Sequence, residues 1–483
     1  MSTDTPWQHF FTSTDHAGLE ELKTAARQTI ESLSFVGDAP RSPMLPAELH
    51  AAVGKLDVCP EDGAALAQVL DEFGSIVWAN GVVPGDPRCV AHLHPPTLLP
   101  AVVTELAIAA TNQSMDSWDQ APVATEVELH LMGWLAATIG FGPSGTGIMT
   151  SGGTASNVLG MTLARAAAAN RLGVDVGKSG LPPESRTWRI LCSDQAHFSI
   201  QRAAAQLGLG RESVVTVGTT PAGAMDLEAL DAELAVLGQE GLVPIAIVGT
   251  AGTTDLGVVD PLAGIAERAA HHGSWFHVDA AVAGSFILST KLAARLSGIE
   301  RADSVTIDFH KLWWQPFNAS ALVVASEDVF DLLRVRSAYL DRGDELEGMV
   351  NLVGRSLDTS RRFDAAKVMT SLRTVGRKNL AAMVERCVEL ASYSGELIER
   401  TDGLELVAAP TSVMCVFDAP GRTADDLRRV QQHLLASGEM VLGRTEIHGR
   451  AALKFTFMNP STSEAEIDGL VEKILETLVV VAN

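Results

Sequence analysis

Apolar and polar positions along this chain repeat with two periods. In "SVTIDFHKLWWQPFNASALVV" (304–324), Val305, Ile307 and Phe309 are spaced by two. That predicts a strand with one buried face, running straight into His310, Lys311 and two tryptophans. In "DLEALDAELAVLG", Leu227, Leu230, Leu234 and Leu237 share one helical face, and the unbroken "VPIAIVG" beyond them reads as a buried strand ending in the turn "TAGTT". "DPLAGIAERAAHHG" predicts the next helix, with Asp260 as N-cap, Pro261 in the first helical position and Gly273 as the stop. "SWFHVDAAVAG" is a further strand. Strand, helix, strand at this spacing implies parallel pairing through a right-handed crossover. In open α/β sheets, ligands gather at the carboxyl ends of the strands. Thr250 to Thr254, Asp279 and Lys311 all fall at such ends.

The pattern divides the chain in three. Residues 1–100 carry helix-like segments broken by Pro and Gly. Residues 101–375 alternate helices with short apolar strands. Residues 376–483 read as a small α+β domain, with "SVMCVFD" and "ALKFTFMN" as strands and "TADDLRRVQQHLLASG" and "SEAEIDGLVEKILETL" as amphipathic helices. With 483 residues, 46% of them hydrophobic, the chain can bury a large core. No apolar run approaches the about 18 residues of a membrane span, and the N-terminus lacks the basic and apolar stretches of a secretory signal. The five cysteines are scattered, as expected for reduced thiols in the cytoplasm. A net charge of −23 argues against nucleic-acid partners and is mildly suggestive of a cationic substrate.

Four features carry chemistry. In "TSGGTASNVLG", Gly152 and Gly153 permit a tight turn, and a helix follows whose free N–H groups and dipole can hold an anion; an ordinary Ser/Thr helix cap would look the same. No Gly-Lys-Ser/Thr or GxGxxG spacing follows, so a single phosphate fits better than a triphosphate or dinucleotide. Asp279 lies deep in an apolar strand, where a carboxylate needs a partner: a structural cap, an ion pair or a protonated pyridine nitrogen. His197 in "CSDQAHFSIQ" ends another short strand, where an imidazole can stack on a flat cofactor or move a proton. Lys311 ends a fourth. His92, His94, His271 and His272 lack partners at ligand spacing, so no metal site is expected. Together, a phosphate cradle, a buried Asp, a His and a Lys are what pyridoxal 5'-phosphate needs. The Lys amine forms a Schiff base with its aldehyde, and the Asp keeps the ring nitrogen protonated so that the ring can absorb electrons.

From about residue 75 to the C-terminus the chain resembles the group II pyridoxal-phosphate-dependent amino-acid decarboxylases, through "TSGGTASN", "SDQAHFS", "GTAGTTDLG", "HVDAA" and "DFHK" in that order. The resemblance implies an α/β fold of the aspartate-aminotransferase type: a large domain with a mostly parallel seven-stranded sheet, a helical N-terminal dimerisation segment and a small C-terminal α+β domain. It implies that Lys311 carries the cofactor, His197 stacks on its ring, Asp279 pairs with the ring nitrogen and Ala281 lies close to the ring. It places Ala155, Ser156 and His310 at the phosphate and Thr250 at the ring and its phenolic oxygen. It also implies a homodimer with the site at the interface. Tyr339, in the polar segment "RSAYLDRGDELEG", matches a loop tyrosine thought to protonate the carbon that loses CO2. Aldehyde-forming members tend to replace this Tyr or the stacking His, so retention of both favours simple decarboxylation.

Within the family, "CVAHLHPPTLLPAVVTELAIAATNQSMDSWDQAP" and "NLVGRSLDTSRRFDAAK" look most like the L-2,4-diaminobutyrate branch, which is also similar to lysine decarboxylases of siderophore pathways. Thr97 matches a substrate-lining Thr. Asp116, Trp118 and Asp119 lie in the segment that shapes the pocket, where a carboxylate can pair with a distal ammonium or serve as a structural cap or surface pair. Lys454 occupies the region where aromatic and glutamate enzymes carry an Arg for the substrate carboxylate, offering a point charge without a fork. Val282 after "HVDAA", Pro95 in "LHPPT" and the bulky "LWWQPFNAS" depart from the branch. They leave an aromatic amino-acid decarboxylase or an aldehyde synthase as the alternative enzyme, and a silent binding homologue as the alternative from another class.

Overall fold

A computed structural model describes residues 10–13, 15–333 and 348–482. Its centre is a seven-stranded sheet built from β1 (Thr146–Thr150), β2 (Trp188–Ser193), β3 (Val214–Val217), β4 (Val243–Thr250), β5 (Trp275–Asp279), β6 (Ser304–Asp308) and β7 (Ser320–Val324). The order across the sheet is β1-β7-β6-β5-β4-β2-β3. The run from β6 to β3 is parallel, and β7 is antiparallel to both β6 and β1. The reversal has a plain cause. Residues 309–319 between β6 and β7 are too few for a helical crossover, so the chain must turn back beside the strand it has just left. Lys311 sits in that return.

The helix Leu227–Glu240 buries Leu230, Leu234 and Leu237 as its period requires, with the Asp226 carboxylate as its N-cap. One expectation needs correction. The helix after β4 starts at Leu262 with Pro261 as its cap, and Asp260 does not cap it with its side chain. The Asp260 carboxylate instead accepts the backbone N–H groups of Thr250 (2.8 Å) and Met225 (2.7 Å), tying the end of β4 to the loop before the helix Leu227–Glu240. A second correction concerns β6. It is buried on both faces, so Ser304, Thr306 and Asp308, which the alternation assigns to an open face, are as enclosed as Val305 and Ile307. Their cover is the helix Gly153–Asn170, which packs close because residue 160 is glycine: a Cβ there would lie 2.8 Å from the His277 ring.

A second sheet, β8 (Glu405–Leu406), β9 (Met414–Asp418), β10 (Gly443–Ile447) and β11 (Arg450–Thr456), is wholly antiparallel in the order β10-β11-β9-β8. The amphipathic helices Ala424–Ser437 and Glu464–Ala482 pack with it around an apolar cluster that includes Phe417, Phe455 and Leu434. The N-terminal segment is strapped to this unit: Val90 exchanges backbone hydrogen bonds with Val441 and Thr456, and the Arg41 guanidinium donates to Leu435 O. Among the described residues no helix is long and apolar enough to cross a membrane.

Candidate active site

A cavity of about 580 Å³ opens where the carboxyl ends of β4, β5 and β6 meet the start of the helix Gly153–Asn170. Lys311 reaches it from a tight turn, in which the Lys311 N–H bonds to Asp308 O and the Trp314 N–H to Lys311 O. Trp313 and Trp314 are core, both at most 2% exposed, and the Trp314 indole donates to Met458 O. Their burial anchors the turn from behind, so Lys311 points forward. Its Nζ lies 3.0 Å from Asp308 Oδ2. Asp308 is nearly inaccessible and also accepts from the Ser320 hydroxyl. Residue 153 must be glycine beside it, since a Cβ would stand 2.9 Å from the same carboxylate oxygen.

The helix start is uncapped by any side chain. Gly152 has φ 148°, and its carbonyl takes the Ser156 N–H at 3.0 Å. The N–H groups of Gly153, Thr154 and Ala155 therefore have no intrahelical partner, which makes an anion site. Ser156 itself turns inward: its hydroxyl lies 2.6 Å from that of Thr150. The His310 ring lies beside Gly152, with Nδ1 2.8 Å from Ala319 O, and burial lowers its pKa.

The Thr250 side chain lines the cavity, and its hydroxyl is buried without a hydrogen-bond partner among the described residues. Such an orphan costs about 1–3 kcal/mol unless a ligand meets it. Asp279, at the end of β5, accepts from Asn157 Nδ2 at 2.7 Å and from the Ala281 N–H at 3.2 Å. His197 faces the same cavity, with Nδ1 2.8 Å from Ser199 Oγ; burial lowers its pKa, against the opposing pull of Asp279.

Lys311, His197, Asp279, Thr250, Ala155, Ala281 and His310 are thus brought to one cavity. Thr97, Asp116, Trp118 and Lys454 are not among its lining. Thr97 is exposed nearby, its neighbour Leu98 bonded through its N–H to Trp314 O, while His94 packs its ring edgewise on Phe317, which does line the cavity. Asp116 accepts from Ser114, and the Trp118 indole donates to Glu126. Lys454 pairs with Asp255 at 2.8 Å and donates to Thr254 O, so it fastens β11 to a cavity-lining loop. Tyr339 lies outside the described residues. Sequence reading passed over Asp308, Asn157, Ser199 and Asp358. The signal for the first was present in the polar alternation 304, 306, 308 within an apolar strand.

The pyridoxal-dependent decarboxylase conserved domain matches residues 52–419. The chain belongs to the pyridoxal-dependent decarboxylase family. This decarboxylase is 36% identical to the L-2,4-diaminobutyrate decarboxylase of Acinetobacter baumannii over 86% of its own length and 84% of the relative's. It is 37% identical to that of Rhizobium meliloti (strain 1021), over 89% and 85%. The glutamate decarboxylase domain of the diaminobutyrate-pyruvate transaminase and L-2,4-diaminobutyrate decarboxylase from Vibrio parahaemolyticus superposes with a TM-score of 0.89 at 37% identity, covering 98% and 99% of the two chains. The enzyme is a carboxy-lyase and its cofactor is pyridoxal phosphate. The decarboxylase's residues fit that group: an uncapped helix start suits a phosphate, the orphaned Thr250 hydroxyl a ring oxygen, and Lys311 an aldehyde.

Proposed function

We propose that this decarboxylase converts L-2,4-diaminobutyrate to its diamine and CO2. The observation that carries the reading is the 36–37% identity to two enzymes of that name across more than four-fifths of every chain. The cavity's charge supports it. Of the lining carboxylates among the described residues, Asp279 and Asp308 are held by neighbours, and Asp358 is exposed at the wall with no side-chain partner there. A carboxylate so placed suits a distal ammonium, a role the sequence suggested for Asp116.

When bound, the cofactor takes up the electron pair left behind as CO2 departs. Lys311 is the nucleophile that links it covalently, oriented by Asp308. The N–H groups of Gly153 to Ala155 would hold its phosphate, in place of Ser156, with His310 beside them. Asp279 would hold its ring nitrogen and Thr250 its phenolic oxygen. His197 would pack on the ring and hold a proton at Nε2, and Tyr339 is assigned the proton returned to the substrate carbon. Thr97 remains assigned to substrate contact. The working form is a homodimer in the cytoplasm. In support, Phe317 and Leu357 line the cavity yet are about half exposed, Leu99, Val102, Val103 and Leu106 stand exposed along one helix, and all five thiols are unpaired.

The test is a panel of 2,4-diaminobutyrate, lysine, ornithine, glutamate, DOPA and tryptophan, with CO2 and amine measured. Diaminobutyrate should give the highest kcat/KM, and Asp358→Asn should raise its KM. A preference for glutamate or an aromatic substrate would overturn the reading.

A further inference from the structure

One buried chain of hydrogen bonds joins Asp279 to His197 beneath the cavity, and the proton positions along it follow from chemistry alone. It starts at the Trp275 indole, which can only donate, and does so to Ser304 Oγ at 2.8 Å. The Ser304 proton is then free for His277 Nδ1, also 2.8 Å away. His277 is wholly buried and neutral, so its other nitrogen carries the hydrogen and donates to Asn157 Oδ1 at 2.9 Å. The Thr306 hydroxyl donates to the same oxygen at 2.7 Å. This fixes the Asn157 amide, whose two N–H bonds go to Asp279 Oδ2 at 2.7 Å and Ser199 Oγ at 2.8 Å. With its oxygen already accepting, Ser199 turns its proton to His197 Nδ1. The Ser199 backbone N–H approaches that same nitrogen at 3.3 Å, which only a lone pair accommodates.

We infer that Asn157 and Ser199 are positioning residues: Asn157 sets the aim of Asp279, and through Ser199 it fixes His197 as the neutral tautomer with its hydrogen on Nε2. No polar atom of Asn157's side chain is spare, and the opposite amide orientation would set its oxygen against the Asp279 carboxylate. The consequence is functional. His197 meets the cofactor with a donor and no net charge, while Asp279 keeps a hydrogen-bond donor that its other donor among the described residues, the Ala281 N–H, does not replace. The inference rests on the assignment of Asp279 and His197 to the cofactor and is independent of which amino acid is the substrate.

The test uses full-length protein as purified with pyridoxal phosphate, labelled with ¹⁵N-histidine, with the His197 resonances assigned through His197→Gln. The wild type should show a single tautomer, unprotonated at Nδ1. Ser199→Ala should give a tautomer mixture at His197 and lower kcat, with cofactor affinity unchanged. Asn157→Asp, which replaces the donating amide by an oxygen, should disturb His197 and also weaken cofactor binding by about tenfold or more, as expected for losing a hydrogen bond to a charged group. A wild-type His197 protonated at Nδ1, or a tautomer that Ser199→Ala leaves unaltered, overturns the inference. So does an Asn157→Asp protein with both readouts intact. If Asn157→Asp does not fold, the wild-type and Ser199→Ala spectra decide. If the preferred substrate proves to be another amino acid, these readouts are unaffected, so the two readings fail separately.

Discussion

Acid should destabilise this protein through His277. Burial depresses the folded-state pKa of this ring from 6.5 to about 4, against the partial counter-pull of Asp279. The hydrogen bonds agree: Ser304 donates to Nδ1, so a second ring proton would face a donor in a site without water access. A depressed histidine favours the folded state above the unfolded pKa, and that contribution is lost as pH falls from 6.5 towards 4. Between pH 7 and pH 5 the unfolded chain takes up a proton that the folded chain refuses, which costs about 2 kcal/mol. With roughly 2.1 cal/mol/K of unfolding entropy per residue, that is a melting shift of about 2 °C for a chain of this length. Other groups titrate over the same range, so the measurement is a difference. His277→Gln keeps an amide able to donate to Asn157 and removes the titration. Differential scanning calorimetry of both proteins at pH 7 and pH 5 should show a smaller loss in the variant, by about 2 °C. An equal loss in both would refute the neutral, locked ring.

Three further outcomes follow from the geometry. Lys311→Ala should abolish turnover and let the cofactor be removed by dialysis, read as loss of the absorbance above 400 nm, on the order of what any Schiff base of this cofactor shows; retained turnover would refute the assignment. Gly153→Ala should weaken cofactor binding while the protein still folds, because its methyl would stand 2.9 Å from Asp308 Oδ2 and push that carboxylate off Lys311; fluorescence titration reads the change. Lys367→Met should destabilise by about 3 kcal/mol or more in urea denaturation. The Lys367 ammonium is inaccessible and shared by Glu105, Asp364 and the carbonyls of Pro316 and Asn318, so kcat/KM should fall as well when the loop carrying Phe317 loosens.

Much of the framework was legible in residue order because it depends on local periodicity. Leu227, Leu230, Leu234 and Leu237 dictate a helix wherever they occur, and a short apolar run closed by "TAGTT" dictates a buried strand with an open carboxyl end. The cavity-lining residues were legible for a related reason. Asp279 and Thr250 each end a strand and Lys311 follows the end of another by three residues, and parallel strands joined by crossovers bring such ends together whatever their order in the sheet. The hydrogen-bonded support was not legible. Asn157 sits on a helix, Ser199 beyond β2, His277 on β5 and Thr306 on β6, and no local pattern reports that they touch.

The sequence by itself therefore determined the elements, the family and most of the polar side chains that line the cavity, because these follow from period, turn chemistry and motif. Only the tertiary structure decided that the polar face of β6 is closed rather than wet, that Asp260 braces a strand end instead of capping a helix, and that Lys454 pins one sheet to the other's loop. The physical reason is the same in each case. Alternation tells which side chains share a face, but burial depends on what covers that face, and the cover here is a helix brought close enough by the missing Cβ of Gly160 to seal a line of polar groups into one connected network.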